Sequence, residues 1–344
     1  MRGLNVSVIT ETCPSSSRLS EPTYMPALNC CLRWDPPQNE LESNVPALAL
    51  RSALGISFAV LGIPAACATP TYAVSFDDPT SVYAAYYPEI TTNVLAAGAA
   101  WSNALGDYGD ATLGVEVGFS PALPTEEGAS TGSHLFGYDP RSGVSVYEQG
   151  AAAKLKGAVL DATGIDGRIT IGDGFLSALW FDPDPAASAG RNPIPAGKVE
   201  AYSVFLHEFG HILAFNGWRD GQTGALSTPY ESTFDKWVVL VDGNLFFEGP
   251  HAEAAYGGPV PLTWRDYGHV GNGAGRPGED LIPDLMNGVT WLRGTHYSIS
   301  PLDLAIAADA GLPVARQPTE VAEPPSLVLL GLGYLAALIS RRRS

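Results

Sequence analysis

Residues 207–211 read HEFGH, so two histidines stand four positions apart and a glutamate follows the first of them. Side chains at positions i and i+4 of a helix point the same way, so His207 and His211 present two imidazoles from one face. Two imidazoles one helical turn apart suit two corners of a tetrahedral zinc site. Glu208 adjoins the first ligand and can reach a water molecule bound to the metal. The spacing therefore predicts hydrolysis by a zinc-activated water, with Glu208 as the general base.

Two histidines do not complete a metal site, so a third ligand has to come from elsewhere in the chain. The other histidines of the sequence are His134, His251, His269 and His296. We predict that His269 is the third ligand, because it lies among glycines in DYGHVGNGAG, where a loop can bend towards a metal. His251 is the main alternative. A carboxylate from YESTFDKW, either Glu231 or Asp235, is a further alternative.

The two histidines belong to a long amphipathic segment, KVEAYSVFLHEFGHILAFNG at residues 198–217, which is bounded by Pro195 and Gly217. The segment is strongly apolar, and its few polar side chains are grouped together. Burying polar side chains costs free energy unless partners satisfy them. We therefore predict a long helix whose polar group forms a site.

Local patterns predict the other elements that position this helix. They are a helix at 88–107, a strand at 111–120, one or two strands within 167–185, a hairpin at 236–249 and a helix at 298–313. The hairpin turns at Asp242-Gly243, and Ser300 with Asp303 forms the capping pattern of the last helix. This order of helices and strands predicts an α+β body with two lobes, whose boundary lies near Gly217.

Composition excludes some classes of protein. Charged residues make up 16% of the 344 residues and hydrophobic residues 45%, so the chain is not disordered by composition. A formal net charge of −17 argues against a nucleic-acid-binding surface, which needs clustered Lys and Arg. The four cysteines all precede Thr69, namely Cys13, Cys30, Cys31 and Cys67. A metal site in the rest of the chain must therefore use His, Asp or Glu.

The beginning of the chain is predicted to direct export. Residues 1–50 are polar, Pro-rich and without a pattern, which indicates an unstructured or mis-assigned start. Residues 51–68 read RSALGISFAVLGIPAACA, with a lone arginine, a short apolar run and small residues before a cleavage point after Ala68. This is the layout of a secretory signal peptide. A buried apolar helix and a lipoprotein signal acylated at Cys67 are the alternatives.

The other end, VAEPPSLVLLGLGYLAALISRRRS at 321–344, combines a Glu-Pro-Pro motif, an apolar run that is short for a membrane span, and a basic cluster. It resembles the PEP-CTERM sorting signal of Gram-negative bacteria. The resemblance implies transient contact with the inner membrane until an exosortase-like enzyme removes the tail. The alternative is a plain C-terminal membrane anchor that forms a transmembrane helix. Both interpretations predict a secreted or cell-surface protein, with residues 69–320 outside the cytoplasm.

Met286, in PDLMNG, follows His269 after a short interval. Together with HEFGH, this arrangement resembles the leishmanolysin-like branch of the metzincins, a group of zinc metalloproteases. In that branch an insertion separates the first two ligands from the third, and a methionine turn underlies the metal before a final helix. The resemblance implies that the insertion is 218–268, the turn 284–288 and the closing helix 300–311.

The same resemblance implies a two-lobed zincin, in which the active-site helix lies between a mixed-sheet lobe at 69–217 and a smaller C-terminal lobe at 218–315. It also implies that an edge strand within 167–181, just before the helix, pairs with an extended substrate. Ala214 stands where the short metzincin motif has a glycine, and alanine resists backbone angles that glycine tolerates. Tyr267 or Tyr297 is a candidate for stabilising the oxyanion of the transition state.

Together these patterns predict a secreted zinc-dependent endopeptidase that hydrolyses peptide or protein substrates. The alternative from another class is a non-catalytic extracellular matrix or adhesion protein with a structural metal site. A third possibility is a zinc hydrolase that acts on other substrates. Glu208 favours an enzyme, because a structural metal site has no use for a carboxylate beside its first ligand.

Overall fold

The computed structural model describes residues 70–315, with gaps at 107, 109–110, 159–163, 188–191, 227–228 and 274. The predicted start region, signal peptide and sorting tail, at 1–50, 51–68 and 321–344, lie outside the described residues. Among the helices that are described, none is both long enough and apolar enough to cross a membrane.

The described strands, in chain order, are β1 (Thr71–Asp77), β2 (Thr112–Ser120), β3 (Glu126–Ser130), β4 (Ser133–Asp139), β5 (Val144–Gln149), β6 (Gly167–Gly172), β7 (Leu179–Trp180), β8 (Val199–Glu200), β9 (Tyr230–Ser232), β10 (Val238–Val241), β11 (Asn244–Phe247) and β12 (Val260–Pro261). The described α-helices are α1 (Tyr87–Ala104), α2 (Gly150–Leu155), α3 (Asp173–Leu176), α4 (Ala201–Leu213), α5 (Pro250–Tyr256) and α6 (Pro301–Asp309). Short 3-10 helices cover Ala84–Tyr86 and Asp235–Trp237. This mixture of helices and mixed sheets confirms the predicted α+β class.

The sheet nearest to the predicted site has the strand order β1-β2-β6-β3. Strands β1, β2 and β6 are parallel to one another, and β3 runs antiparallel to β6. The inner strands β2 and β6 carry fully buried apolar side chains such as Val117 and Ile169, as expected for parallel strands in a protein interior. The strands predicted at 111–120 and within 167–185 are therefore confirmed.

The expectation that a strand within 167–181 forms the edge of the sheet is wrong. Strand β6, which covers Gly167–Gly172, lies between β2 and β3 and pairs with both. Strand β3 follows β2 in the chain, yet it joins the sheet on the far side of β6 and packs against α4. The edge beside the HEFGH helix is therefore Glu126–Ser130, in a segment where the sequence analysis predicts no strand.

Every residue of α4 except His211 is buried. The helix packs against α1, where the Trp101 indole N–H donates to the Leu206 carbonyl at 2.8 Å. It ends before Ala214, whose φ of −146° and ψ of −44° leave the helical region. This φ is not in the left-handed region, where glycine is favoured over alanine. The helix predicted at 198–217 is confirmed, and it is shorter at both ends.

A smaller sheet in the second half of the chain has the order β10-β11-β12. Strands β10 and β11 form the predicted hairpin, and its turn places Asp242 at φ 49° and Gly243 at φ 77°. Both values are in the left-handed region that two-residue hairpins use, and Gly and Asp tolerate it better than most residues. The hairpin predicted at 236–249 and the helix predicted at 88–107, which corresponds to α1, are confirmed.

Helix α6 begins with the predicted capping box. The Ser300 hydroxyl accepts the Asp303 N–H at 3.0 Å, and the Asp303 carboxylate accepts the Ser300 N–H at 2.7 Å. The Ser300 hydroxyl also donates to Asp284 at 2.7 Å, and Asp284 accepts the Met286 N–H at 3.0 Å. Burial, followed by the neighbouring Asp284 charge, raises the pKa of Asp303 well above its ordinary value. The cap of α6 therefore supports the turn that contains Met286.

We expect Asp303→Asn to change how stability depends on pH. The buried carboxyl of the folded chain keeps its proton to a higher pH than in the unfolded chain, where the pKa of Asp is about 3.9. The free energy of unfolding of the wild type should therefore fall, relative to the variant, as the pH rises above about 4 and until the raised pKa is passed. Urea denaturation of the purified chain at a series of pH values measures this difference.

The matched control for this experiment is Asp242→Asn, which changes the same side chain in the exposed hairpin turn. Its free energy of unfolding should follow that of the wild type at every pH. Parallel curves for the wild type and Asp303→Asn would contradict the raised pKa of the buried carboxyl.

Candidate metal centre

Three histidine side chains meet at one point of the structure. Their Nε2 atoms are 3.0 Å apart for His207 and His211, 2.9 Å apart for His207 and His269, and 2.9 Å apart for His211 and His269. His207 and His211 project from α4, and His269 comes from the loop that follows β12. These three histidines lie close enough together to bind one metal ion.

The other ring nitrogen of each histidine faces an oxygen atom. The Nδ1···O distances are 2.7 Å from His207 to Leu285 O, 2.6 Å from His211 to Phe215 O, and 2.9 Å from His269 to Asp266 Oδ1. The two carbonyls fix a proton on Nδ1 of His207 and of His211, so Nε2 of each of these rings keeps a lone pair. Lone pairs so close together repel one another unless a cation lies among them. The arrangement therefore fits a metal ion bound by three imidazoles.

Burial keeps two of these rings neutral. Burial, followed by the neighbouring imidazoles, lowers the pKa of His207 well below its ordinary value. Burial and the nearby His269 lower the pKa of His211 to about 3. The neutral imidazole is the form that binds a metal, so no proton has to leave these Nε2 atoms near neutral pH.

The turn at 284–288 forms the floor of the site. Met286 is fully buried and lies against α4 at Gly210, where a Cβ would stand only 2.4 Å from the methionine sulfur. Leu285, in the same turn, supplies the carbonyl that accepts from His207. The predicted methionine turn therefore lies against the HEFGH helix, and Gly210 permits the close approach.

Glu208 lies beside the histidines and against the edge strand β3. Its Oε2 atom is buried without a hydrogen-bond partner, and a Cβ at Gly128 of β3 would stand 2.5 Å from this oxygen. Burial, followed by the charges of Glu126 and Glu127, raises the pKa of Glu208 well above its ordinary value. A carboxyl group with a raised pKa next to a candidate metal site suits proton transfer near neutral pH.

Glu126 and Trp291 also lie beside the histidines, although no sequence pattern predicts them. The Trp291 indole N–H donates to Glu126 Oε1 at 2.6 Å, and the indole ring lies 5.2 Å from the His207 ring. Burial raises the pKa of Glu126 to about 7, against the opposite effect of the Trp291 hydrogen bond. The two residues are 165 positions apart in the chain, and no local pattern connects them.

The site opens into a cleft of about 680 Å³. Its walls comprise residues 123–128, 265–269 and 287–291, together with residues on α4 and after it. Strand β3 therefore borders the cleft, and its edge away from β6 has no strand partner among the described residues. Of the two tyrosines considered for an oxyanion, Tyr267 lines the cleft, whereas the Tyr297 hydroxyl accepts the Leu292 N–H at 3.0 Å.

The other candidate ligands have different partners. His251 Nδ1 is 2.6 Å from Asp309, His296 Nδ1 is 2.6 Å from Glu200, and His134 Nδ1 is 3.4 Å from Glu148. Glu231 accepts a hydrogen bond from the Ser142 hydroxyl, and Asp235 accepts one from the Trp218 N–H. Within the described part of the chain, His207, His211 and His269 are the one group of His, Cys, Asp and Glu side chains that could hold a metal ion. The structure thus places His269, and none of the alternatives, beside His207 and His211.

The chain matches no protein-family model, and no curated protein matches it. The chemistry of the site is therefore what indicates a function. Three imidazoles form a donor set that suits a borderline-soft divalent metal, and the adjoining cleft has space for a further ligand. Glu208 adds a carboxyl group that can move a proton at the same place.

We expect His207→Ala, His211→Ala and His269→Ala each to lose most of the bound metal, whereas His251→Ala retains it. Removing one of three nitrogen donors leaves a pair that binds metal far more weakly, and His251 pairs instead with Asp309. Metal analysis of the purified, dialysed chains measures the loss, and circular dichroism checks that the variants are folded. Metal loss from His251→Ala, with full retention in His269→Ala, would contradict the assignment.

Gly210→Ala should weaken metal binding by about tenfold, as expected when the groups that orient the ligands are disturbed. The added Cβ would overlap the Met286 sulfur and displace the turn whose Leu285 carbonyl orients His207. Competition between the chain and a chromophoric chelator measures the affinity. The matched control is Gly174→Ala, because a Cβ at that position meets no atom within 4 Å. Equal affinities for Gly210→Ala and the wild type would show that Met286 moves aside without consequence.

Proposed function

We propose that this protein is a secreted zinc-dependent endopeptidase of the metzincin type. The observation that carries the proposal is the convergence of three Nε2 atoms, from His207, His211 and His269, beside a buried Glu208 oxygen that has no partner. The sequence patterns at 51–68 and 321–344 support export, and with it processing of the tail by an exosortase-like enzyme.

The donor set favours zinc. Three histidine ligands are typical of catalytic zinc sites, which leave the fourth position for water or substrate. His207 and His211 are also oriented by backbone carbonyl oxygens, as zinc-binding histidines usually are. The structural metal site of a matrix or adhesion protein would need a fourth protein ligand. Among the described residues no further His, Cys, Asp or Glu side chain joins the three histidines.

Zinc held by these histidines would polarise a substrate carbonyl and lower the pKa of a water molecule. Glu208 takes the proton of the attacking water and then gives it to the leaving amine nitrogen. The raised pKa of Glu208 makes its protonated form accessible between these two transfers. The carbonyls of Leu285 and Phe215 keep the His207 and His211 imidazoles oriented throughout, and the Asp266 carboxylate lies 2.9 Å from Nδ1 of His269.

The edge strand offers a place for an extended peptide. Strand β3 borders the cleft, its outer edge has no strand partner among the described residues, and Gly128 brings it against Glu208. A peptide added to this edge would form main-chain hydrogen bonds and pass in front of the histidines. Such recognition of a peptide backbone supports peptide hydrolysis over a zinc hydrolase that acts on other substrates.

The order of the elements supports the metzincin type. The HEFGH helix, a distant third histidine, the turn that contains Met286 and a closing helix follow one another in the order that the resemblance implies. In the proposed two-lobed arrangement, the lobe at 69–217 provides His207 and His211. The lobe at 218–315 provides His269 and Met286.

Glu208→Gln should abolish casein hydrolysis by the purified, zinc-loaded chain. Glutamine has nearly the same size but cannot take up and return the proton, a change that costs a factor of about 10² to 10⁴ in rate. Zinc content should stay unchanged, because Glu208 is not one of the grouped ligands. Casein clearing with and without a chelator, combined with zinc analysis, measures both properties.

The control variant is Glu89→Gln, which changes an exposed glutamate on α1 and should keep full activity. Hydrolysis that persists in Glu208→Gln or in the presence of the chelator would contradict the proposed mechanism. A zinc-loaded wild type that cleaves no protein or peptide would favour the matrix or adhesion alternative.

A further inference from the structure

A hydrogen bond joins two walls of the cleft. Glu126 belongs to the wall formed by 123–128, and Trp291 belongs to the wall formed by 287–291. The Trp291 indole N–H donates to Glu126 Oε1 at 2.6 Å, so this hydrogen bond joins two segments that line the cleft. We call this contact the Glu126–Trp291 bridge.

The bridge lies next to the histidines. The Trp291 ring is 5.2 Å from the His207 ring, and on another side it meets the Tyr297 ring edge-on at 4.9 Å. A substrate peptide that occupies the cleft in front of the histidines therefore contacts the Trp291 indole if it extends towards Glu126.

The backbone around Trp291 is fixed to the residues that precede and begin α4. The contacts are Gly294 N–H to Lys198 O at 2.9 Å, His296 Nδ1 to Glu200 Oε1 at 2.6 Å, and Tyr297 N–H to the Ser203 hydroxyl at 2.9 Å. Because these contacts hold the loop, the bridge can open through rotation of the Glu126 and Trp291 side chains while the backbone stays in place.

The closed bridge leaves one polar atom unsatisfied. Glu126 Oε2 is buried and has no hydrogen-bond partner, although Oε1 of the same carboxyl accepts from Trp291. A buried polar atom without a partner is a cost to the folded state, and hydration would remove that cost. Opening the bridge would give this oxygen access to water.

The position of the bridge along β3 determines how many peptide residues fit between the bridge and Glu208. Glu126 is the first residue of β3, and Gly128, two residues further on, is the residue that lies against Glu208. Residues two apart in a strand lie on the same face and are separated by roughly 7 Å. A peptide paired with β3 therefore has space for about two residues between the reacting carbonyl and the bridge.

We propose that the Glu126–Trp291 bridge is a gate that selects substrates by length. With the gate closed, the cleft takes peptides that end within about two residues of the cleaved bond on the gated side. Longer chains and internal segments of proteins enter only when the gate opens. This inference rests on the proposed peptidase function and specifies its substrate class as short or terminal peptide segments, with longer chains admitted more slowly.

The test uses one cleavable peptide sequence in three forms. The first form has two residues on each side of the cleaved bond, and the others are extended to six residues on the N-terminal or the C-terminal side. The wild type should show a kcat/KM about tenfold lower for the form extended on the gated side. Trp291→Phe keeps the aromatic ring but lacks the indole N–H, so it should reduce this ratio to about threefold or less by raising the value for the extended form.

Trp264→Phe is the matched control, because Trp264 lies under the Arg276 guanidinium, 3.3 Å from it, and outside the bridge. It should keep the wild-type ratio. Glu126→Ala removes the acceptor and should act in the same direction as Trp291→Phe. Equal kcat/KM values for all three peptides in the wild type, or an unchanged ratio in Trp291→Phe, would overturn the gate.

Binding of the same peptides separates the gate from the proposed hydrolysis. Fluorescently labelled forms are titrated onto zinc-loaded Glu208→Gln and onto Glu208→Gln/Trp291→Phe. Length-dependent affinity that disappears in the double variant supports the gate, even if the wild type hydrolyses nothing and the peptidase proposal fails. Hydrolysis without any length dependence retains the peptidase and refutes the gate, and failure to bind any peptide refutes both.

Discussion

The constraint on which this structure depends is the burial of a helix that carries polar side chains. Each buried polar atom without a partner costs about 1–3 kcal/mol, so the Nδ1 atoms of His207 and His211 require acceptors. They find the Leu285 and Phe215 carbonyls, and this requirement ties the turn at 284–288 and the end of α4 to the site. The remaining polar atoms then lie together beside a cleft. They are the Nε2 atoms of the three histidines and the Oε2 atom of Glu208.

Local sequence patterns predicted the parts of the fold that depend on interactions between residues near one another in the chain. The spacing in HEFGH places two imidazoles on one helical face, the Asp242-Gly243 pair supplies the backbone angles of a hairpin, and Ser300 caps the helix that it precedes. In each case the interacting groups lie within a few residues of one another. His269 is a different case: its glycine-rich loop was the reason to choose it, but no local pattern determines where that loop lies relative to α4. The structure brings His269 to the other two histidines.

What the sequence did not predict is caused by contacts between distant segments. Strand β3 has the sequence EEGAS, which lacks alternating apolar residues, and its extended form comes from pairing with β6 and packing against α4. Without β3, the last strand before the helix became the presumed edge of the sheet, which is why that expectation failed. The partnership of Glu126 with Trp291 spans 165 positions and has no local signal. The residues that border the cleft were therefore the least predictable part of the site.

Two glycines then determine how the site can move. Gly128 lets the edge strand approach Glu208, and Gly210 lets Met286 approach the helix, so that α4 is held on both sides at distances that a Cβ would prevent. Close-packed contacts of this kind do not slide easily, because any displacement produces overlap on one side and a void on the other. His207, Glu208 and His211 on α4 are thus fixed relative to the edge strand, as the proposed catalysis by a positioned carboxylate requires. In the proposed gate, the parts that move are therefore side chains that line the cleft, namely those of Glu126 and Trp291.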